Sequence, residues 1–201
     1  MSLFSRLEEL QWKQLQHDEK YHKEIWLLTV QQRITHMTLH LAKYSSAITV
    51  AALENDKPAF EKAIIDTFII TMSSANIFGT RIHDIALNDL EQKCHDTREL
   101  ASLLLDKFHS EFAGASLLEF NKQISINIGR MCKAAESLDH LEVFPYRETM
   151  VKSLASLFRI TLCAFEFVSD AALEERISKR LMAVERKNIF FSKLGNYESG
   201  Y

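Results

Sequence analysis

Residues 63–79 read AIIDTFIITMSSANIFG and carry the clearest structural signal in the chain. Apolar side chains dominate this stretch, and they recur at the three- and four-residue intervals of an α-helix. Asp56 is placed to cap the start of such a helix, and Pro58 suits its first turn. Gly79 supplies a stop. The stretch therefore predicts a helix that begins near Pro58 and ends one or two residues before Gly79.

The composition extends this prediction to the whole chain. The 201 residues include only five glycines and two prolines, where average usage gives roughly 14 and 10. Because both residues interrupt helices, their scarcity favours a few long helices. Apolar residues make up 47% of the chain, which is enough for a sizeable core. The length suits one large domain or two small halves that share a core.

Helical spacing and helix-ending residues divide the rest of the chain into further helices. The pattern predicts an all-α fold, an antiparallel helical bundle built from two similar hairpins. The predicted segments are a first helix from Leu3 to about His17, a second from Tyr21 or Ile25 to Leu53, a short turn from Ile82 to Leu87, a helix from Asp89 to Phe112 with Asn88 as its N-cap and Gly114 as its break, a helix from Leu117 to Leu138, one from Tyr146 to Val168, and a last helix capped by Ser169 or Asp170 that runs to about Phe190.

The chain is expected to consist of two helical halves packed as one unit. The first half covers residues 1–114, with a hairpin at about 25–95, and the second covers residues 115–191. Residues 192–201 have the composition of a loose tail. A shift of 90 positions superimposes Phe68 on Phe158 and several other apolar residues. Both a duplication and chance similarity between two helical hairpins explain these few matches, so both remain open.

Charge and cysteine content exclude several classes of protein. The formal net charge is −3, and no block of basic residues indicates nucleic-acid binding. The apolar stretches are too short and too often interrupted for a membrane span, and the acidic, amphipathic N-terminus is unlike a signal peptide. The cysteines are isolated and odd in number, which suits reduced thiols. They are Cys94, Cys132 and Cys163. We therefore expect a soluble cytoplasmic protein.

Asp66 is the first candidate for a functional residue. A carboxylate among apolar residues requires a metal ion, a cation or a helix end as partner. Asn76 lies ten positions further on, so both side chains are predicted to face one side of the helix. His36 and His40 are four residues apart, and together with Asp66 they could bind a metal ion. Alternatively, Lys43, one turn beyond His40, neutralises Asp66 with no metal present.

With Asp66, Ala75-Asn76 and Gly79, the sequence resembles the MazG-like all-α nucleoside triphosphate pyrophosphohydrolases. Their second core helix typically reads Glu-x-x-Asp, then apolar residues, then Ala-Asn and Gly. Residues 39–48 are similar to their first core helix. The resemblance covers about residues 25–95 and, more faintly, 120–190. It implies a helical bundle that dimerises, a nucleotide ligand, and a Mg²⁺ ion. It places Asp66, Asn76, His40 and Lys43 around the ancestral site.

The chain departs from the family pattern at most of the metal-binding positions. Family members bind Mg²⁺ through Glu-x-x-Glu on the first helix and Glu-x-x-Asp on the second. Here Lys43, Ser46 and Ala63 stand where three of these acids belong. Lys and Ser cannot supply the charge that this hard cation requires. In the second half, Glu136 is the one acid left at the equivalent positions, since the others are Lys133, Ser153 and Ser156.

Two functional hypotheses follow from the resemblance and its departures. The first is a MazG-like protein whose Mg²⁺-dependent hydrolysis of nucleoside triphosphates is weakened or lost. The alternative is a non-enzymatic helical module that serves as a scaffold or interaction partner. Acidic side chains that converge with Asp66 on one cavity would favour the enzyme. A closed contact between Asp66 and Lys43 or His40 would favour the module.

Two further motifs allow weaker interpretations. Three His-Asp dipeptides occur, but their spacing does not match that of the helical HD-type phosphohydrolases. They are His17-Asp18, His83-Asp84 and His95-Asp96. The last helix carries many charges between Glu174 and Asn188. This pattern is typical of one solvated and one packed face, although its cations could also bind phosphate, as distal Lys and Arg residues do in the resembled family.

Overall fold

The computed structural model describes residues 1–88, 90–108, 115–190 and 193. Over these residues the chain forms helices and no strands, which confirms the predicted all-α class. None of the helices described is long and apolar enough to cross a lipid bilayer. The helices are α1 (Leu3–Tyr21), α2 (Lys23–Trp26), α3 (Val30–Glu54), α4 (Lys57–Ile77), α5 (Ile82–Leu87), α6 (Thr97–Lys107), α7 (Leu117–Asp139), α8 (Tyr146–Val168) and α9 (Leu173–Glu185), with a short 3-10 helix at Leu90–Lys93.

The four longest central helices form a bundle. The α3–α4 hairpin packs against the α7–α8 hairpin, so that α3 contacts α7 and α4 contacts α8. Four further helices cover the outer sides of α4 and α8: α1 and α9 pack on α4, whereas α5 and α6 pack on α8. As a result α4 and α8 are the most enclosed helices, and α3 and α7 make their main contacts within the bundle.

The interior helices α4 and α8 are buried on every side. All residues from 63 to 69 and all residues from 157 to 165 are buried. The rings of Phe68 and Phe158, the pair matched by the 90-residue shift, meet at the contact between these helices with centroids 4.8 Å apart. The hydroxyls of Thr71 and Thr161 donate to main-chain carbonyls four residues earlier. The interior therefore contains threonines without leaving their hydroxyls unpaired.

The predicted boundaries of α4 and α8 are confirmed. The Asp56 side chain accepts a hydrogen bond from the main-chain N–H of Ala59, so it caps α4 as expected. Gly79 has a φ of +60°, a left-handed conformation that ends the helix and suits a residue without a Cβ atom. Helix α8 begins at Tyr146 and ends at Val168, where the sequence placed it.

Two predictions for the N-terminal region are wrong. The first helix does not end near His17 but continues to Tyr21. The single helix predicted from residue 21 or 25 to residue 53 is broken between α2 and α3. Thr29 forms a capping box with Gln32, in which each side chain accepts from the main-chain N–H of the other residue. This reciprocal bonding fixes the start of α3 at Val30, although no glycine or proline marks the break.

Other boundaries also differ from the prediction. Asn88 ends α5 in a left-handed conformation, with a φ of 48°, instead of capping a following helix. Helix α6 begins at Thr97, where the side chain of Asp96 accepts from the N–H of Glu99. The last helix ends at Glu185 instead of Phe190, and neither Ser169 nor Asp170 caps it. The predicted break at Gly114 and the predicted tail at 192–201, residue 193 apart, lie outside the described residues.

Candidate ligand-binding cavity

A cavity of about 380 Å³ lies beside the bundle, enclosed by α1, α2, α3, α4 and α9. This volume is within the range of small-molecule sites, which typically combine apolar walls with a few convergent polar groups. The apolar wall includes Leu15, Met37, Ile69, Ile70, Leu181 and Val184, and the polar groups include His17, Asp18, His22, Arg33, His36, His40, Asp66 and Arg180.

Asp66 lies in the cavity wall and is almost fully buried, with 7% of its surface exposed. Its two carboxylate oxygens accept hydrogen bonds from Nε and Nη2 of Arg180, at 2.5 and 3.0 Å. This bond to Asp66 raises the pKa of Arg180 further above its usual range. Burial raises the pKa of the neighbouring Tyr44, and the negative charge of Asp66 adds to this effect. The buried carboxylate thus has the cationic partner that the sequence requires, but that partner comes from α9.

The other predicted partner of Asp66, Lys43, does not neutralise it. Lys43 is exposed, and its ammonium lies 4.3 Å from the centre of the Tyr44 ring. It is not among the residues that line the cavity. The predicted Lys43–Asp66 ion pair is therefore replaced by the Arg180–Asp66 pair. The sequence alone does not single out Arg180, because α9 carries several cations at similar spacing.

Asn76 lies at the cavity wall and connects two helices. Its side-chain oxygen accepts a 2.7 Å hydrogen bond from Nε2 of Gln11 on α1. The same nitrogen of Gln11 also donates to the carbonyl of Thr80. The side-chain oxygen of Gln11 accepts a hydrogen bond from the main-chain N–H of Ile82. Asn76 therefore helps to hold α1 against the end of α4.

His36 and His40 lie on the same side of α3, with ring centroids 4.5 Å apart, and both line the cavity. Burial lowers the pKa of His40 to about 4, and electrostatic interactions with Lys43, His36 and His22 lower it further. The negative charge of Asp66 acts in the opposite direction, but its effect is smaller. His40 is thus a neutral imidazole at neutral pH. The positively charged guanidinium of Arg180 already neutralises Asp66 through both of its oxygens. A second cation beside it is electrostatically unfavourable, which argues against the predicted metal set of Asp66, His36 and His40.

The predicted Mg²⁺ positions do not supply a suitable ligand set. Lys43 is exposed at the surface of α3, and Ala63 of α4 has no oxygen to offer. In the second half, Glu136 pairs with Lys133 at 3.3 Å on the surface of α7. Since Mg²⁺ requires several oxygen ligands around one point, these residues do not fit it.

A second group of polar residues meets at the end of α1, where His17, Asp18 and His22 each line the cavity. Their potential ligand atoms all lie within 4.8 Å of one another. In the sequence, His17-Asp18 is one of three His-Asp dipeptides, and nothing within the dipeptide distinguishes it from the other two. The signal that could have identified the group is the second histidine, at the position where α1 ends.

An arginine and an aromatic ring complete the polar part of the cavity. The guanidinium of Arg33 lies 5.1 Å from the centre of the Trp26 ring, a cation–π contact between α3 and α2. The Nε atom of Arg33 is buried and has no hydrogen-bond partner. A buried N–H without a partner is unfavourable, so Arg33 is available to an acceptor in the cavity.

Comparison with known proteins found no match. No protein-family model, curated protein or solved structure matches the chain. The resemblance to the MazG-like family consequently depends on Asp66, Ala75-Asn76, Gly79 and the pattern of the two hairpins.

Proposed function

We propose that this chain is a divergent MazG-like protein of the cytoplasm that binds a nucleotide in the cavity, with Mg²⁺-dependent hydrolysis weakened or lost. The observation that carries the proposal is the Asp66–Arg180 pair in the cavity wall. Asp66 is the residue at which the chain matches the family motif, and a guanidinium now holds it. This arrangement retains a ligand cavity beside α4, while Arg180 engages the one acid that stands at the family's metal-binding positions in the first half.

The chemistry of the cavity suits the parts of a nucleotide. A base can lie against the apolar wall and against the rings of Trp26 and Tyr44, which provide large flat surfaces. A phosphate accepts charge-assisted hydrogen bonds, and the unpaired Nε of Arg33 is a donor of this kind. The volume of about 380 Å³ suits the base and sugar, with the phosphates directed toward Arg33.

Loss of Mg²⁺-dependent hydrolysis follows from the surroundings of Asp66. A metal ion there would have to displace Arg180 and would still lack the acids that Lys43, Ser46 and Ala63 replace. A positive guanidinium close to a divalent cation is also electrostatically unfavourable. Any nucleotide bound here should therefore depend on arginine side chains and not on a metal bridge.

Nucleotide binding is expected to be insensitive to Mg²⁺. Titration calorimetry with a panel of nucleoside mono-, di- and triphosphates should give the same Kd, within a few-fold, in excess Mg²⁺ and in EDTA. Arg33→Gln should weaken binding roughly tenfold or more, because a charge-assisted hydrogen bond is lost. Arg130→Gln, a change at an exposed position of α7, is the matched control and should leave Kd unchanged.

A parallel assay of pyrophosphate release tests the loss of hydrolysis. We expect no turnover with Mg²⁺ or Mn²⁺ for any nucleoside triphosphate. Weak turnover that disappears in Asp66→Ala would show that hydrolysis is weakened and not lost, whereas turnover at a rate typical of an active enzyme would contradict the proposal. Turnover that survives this substitution would show that the reaction occurs elsewhere. Failure of every nucleotide to bind would reject the proposal.

A second candidate function, a non-enzymatic interaction module that forms a homodimer, is favoured by the outer surface of α3. Leu39, Val50 and Leu53 are 63%, 51% and 71% exposed. Their spacing of eleven and three residues places them on one side of the helix, opposite the buried side. The exposed Lys43 and Ser46 lie between them on the same face, so the apolar stripe is interrupted at its centre. A stripe of exposed apolar residues on a long helix suits contact with another helical surface, such as the same stripe of a second copy.

Disruption of this stripe is expected to convert a dimer into a monomer. Light scattering coupled to size-exclusion chromatography should give a dimer mass for the wild type and a monomer mass for the Leu39→Lys/Leu53→Lys double variant. Val143→Lys, which changes a fully exposed apolar residue in a loop, should keep the dimer mass. A monomer mass for the wild type at every concentration tested would reject dimerisation through α3.

A further inference from the structure

We infer that His17, Asp18 and His22 form a binding site for a transition-metal ion of the Zn²⁺ type at the end of the cavity. The potential ligand atoms of the three residues lie within 4.8 Å of one another. This site differs from the predicted set of Asp66, His36 and His40. It is inferred independently of the proposed function, since none of the three residues belongs to the motif on which the MazG-like proposal depends.

The strongest argument for a ligand is the state of His17. Its side chain is only 5% exposed, yet neither ring nitrogen has a hydrogen-bond partner. Leaving a buried polar group unpaired is costly, and folded proteins rarely do so without a ligand, an ion or a water molecule. A metal ion bonded to one nitrogen, with the other nitrogen donating a hydrogen bond, satisfies the imidazole completely.

The surroundings of His17 indicate which nitrogen takes each role. Nδ1 faces Asp18, with 3.9 Å to its Oδ1 atom, and Nε2 faces Glu185 of α9, with 3.8 Å to its Oε1 atom. In metal sites the second histidine nitrogen commonly donates to a carboxylate, which orients the ring and increases its basicity. A metal on the Nδ1 side, with Glu185 accepting from Nε2–H after a small approach, reproduces this arrangement.

Asp18 is already held in position. Its Oδ1 accepts a 2.8 Å hydrogen bond from Nε2 of Gln14, and its Oδ2 accepts a 2.6 Å hydrogen bond from the hydroxyl of Ser73 on α4. A carboxylate oxygen has two acceptor positions, so both oxygens keep capacity for a metal. Metal-binding carboxylates are typically fixed by hydrogen bonds of this kind.

His22 supplies the third ligand from the end of α1. It directly follows Tyr21 and has a non-helical φ of −129° and ψ of 41°. Its side chain is partly exposed, and the centroid of its ring lies 5.6 Å from that of His17. The carbonyl end of a helix carries a partial negative charge that favours a cation. Zinc bonds of about 2.1 Å in a tetrahedral site place ligand atoms roughly 3.4 Å apart. Separations of up to 4.8 Å must therefore shrink by as much as about 1.4 Å, which the partly exposed His22 ring permits.

The ligand set defines the class of metal and what it can do. Two imidazoles and one carboxylate suit Zn²⁺, Co²⁺, Ni²⁺ or Fe²⁺, whereas Mg²⁺ and Ca²⁺ require mainly oxygen. Three protein ligands leave a coordination position for water or for a donor atom of a bound molecule. Because all three residues line the cavity, that position lies next to any ligand the cavity contains.

Metal titration of the 201-residue chain tests the inference without any nucleotide. After treatment with a chelator and dialysis, calorimetry with Zn²⁺ alone should give one ion per chain, and Co²⁺ should give visible absorption bands typical of four or five ligands. His17→Ala and His22→Ala should each weaken Zn²⁺ binding by roughly 100-fold or more, since loss of even an outer-shell partner can cost that much.

His36→Ala is the matched control, because it removes another histidine of the same cavity that is outside the site. It should leave Zn²⁺ affinity and the Co²⁺ spectrum unchanged. Absence of Zn²⁺ binding, or equal losses in His36→Ala and His22→Ala, would overturn the inference. If His17→Ala fails to fold, His22→Ala decides the question, because the His22 side chain is 39% exposed whereas that of His17 is only 5% exposed.

Discussion

Replacing Arg180 with alanine is expected to lower the free energy of unfolding by about 3 kcal/mol, because it leaves the Asp66 carboxylate buried without a cation. The Arg180 side chain is itself 23% exposed, so it can reach water when Asp66 is changed instead. Asp66→Ala should therefore cost less than Arg180→Ala. Urea unfolding followed by circular dichroism measures both changes.

The double variant separates the interaction from the loss of each side chain. Asp66→Ala/Arg180→Ala should be less destabilised than the sum of the two single changes, since no unpaired charge remains. Arg180→Lys keeps the charge but loses the two-point hydrogen bond, so it should recover only part of the stability. Glu148→Ala removes an exposed partner of Lys152 and should have no measurable effect. Additive effects at Asp66 and Arg180 would contradict the paired geometry.

Truncation of Phe68 or Phe158, whose rings meet between α4 and α8, is expected to lower the free energy of unfolding at least as much as Arg180→Ala. Phe68 is fully buried at the contact between α4 and α8, so Phe68→Ala should lower the free energy of unfolding by about 4 kcal/mol. The double change with Phe158→Ala should show a coupling of about 1 kcal/mol, as expected for rings in contact. Thermal or urea unfolding gives both values.

The exposed Phe190 offers a control for the aromatic prediction. This residue follows α9 and is 59% exposed, so Phe190→Ala should change the stability by less than about 0.5 kcal/mol. A similarly small effect of Phe68→Ala would show that the two hairpins do not share one tightly packed interior. A large effect for each single change with no coupling would place the rings out of contact.

The parts of the fold that were predicted correctly are those with strong local signals. Asp56, Pro58 and Gly79 define α4 through capping, a fixed φ and a left-handed turn, and each acts on residues close to it in sequence. The break before Val30 was missed because its only mark is Thr29-x-x-Gln32, a capping box without glycine or proline. Asn88 was misassigned because asparagine is suited both to starting a helix and to a left-handed ending.

The candidate site was predicted less well because long-range packing assembles it. The sequence shows that Asp66 needs a partner but not that the partner is Arg180, which is distant in the chain and resembles the other cations of α9. Likewise, His17 looks like an ordinary polar residue of an amphipathic helix. It is buried only because α1 packs on α4 and meets α9, and local periodicity does not reveal such contacts.

The enclosure of α4 has a consequence for synthesis of the chain. Helix α4 leaves the ribosome well before α8, which packs against it in the interior of the bundle. At elongation rates of about 5–20 residues per second, this leaves α4 incompletely covered for several seconds. The nascent first hairpin therefore exposes apolar surface of α4 until α8 has been made, and we expect it to be prone to aggregation during that interval.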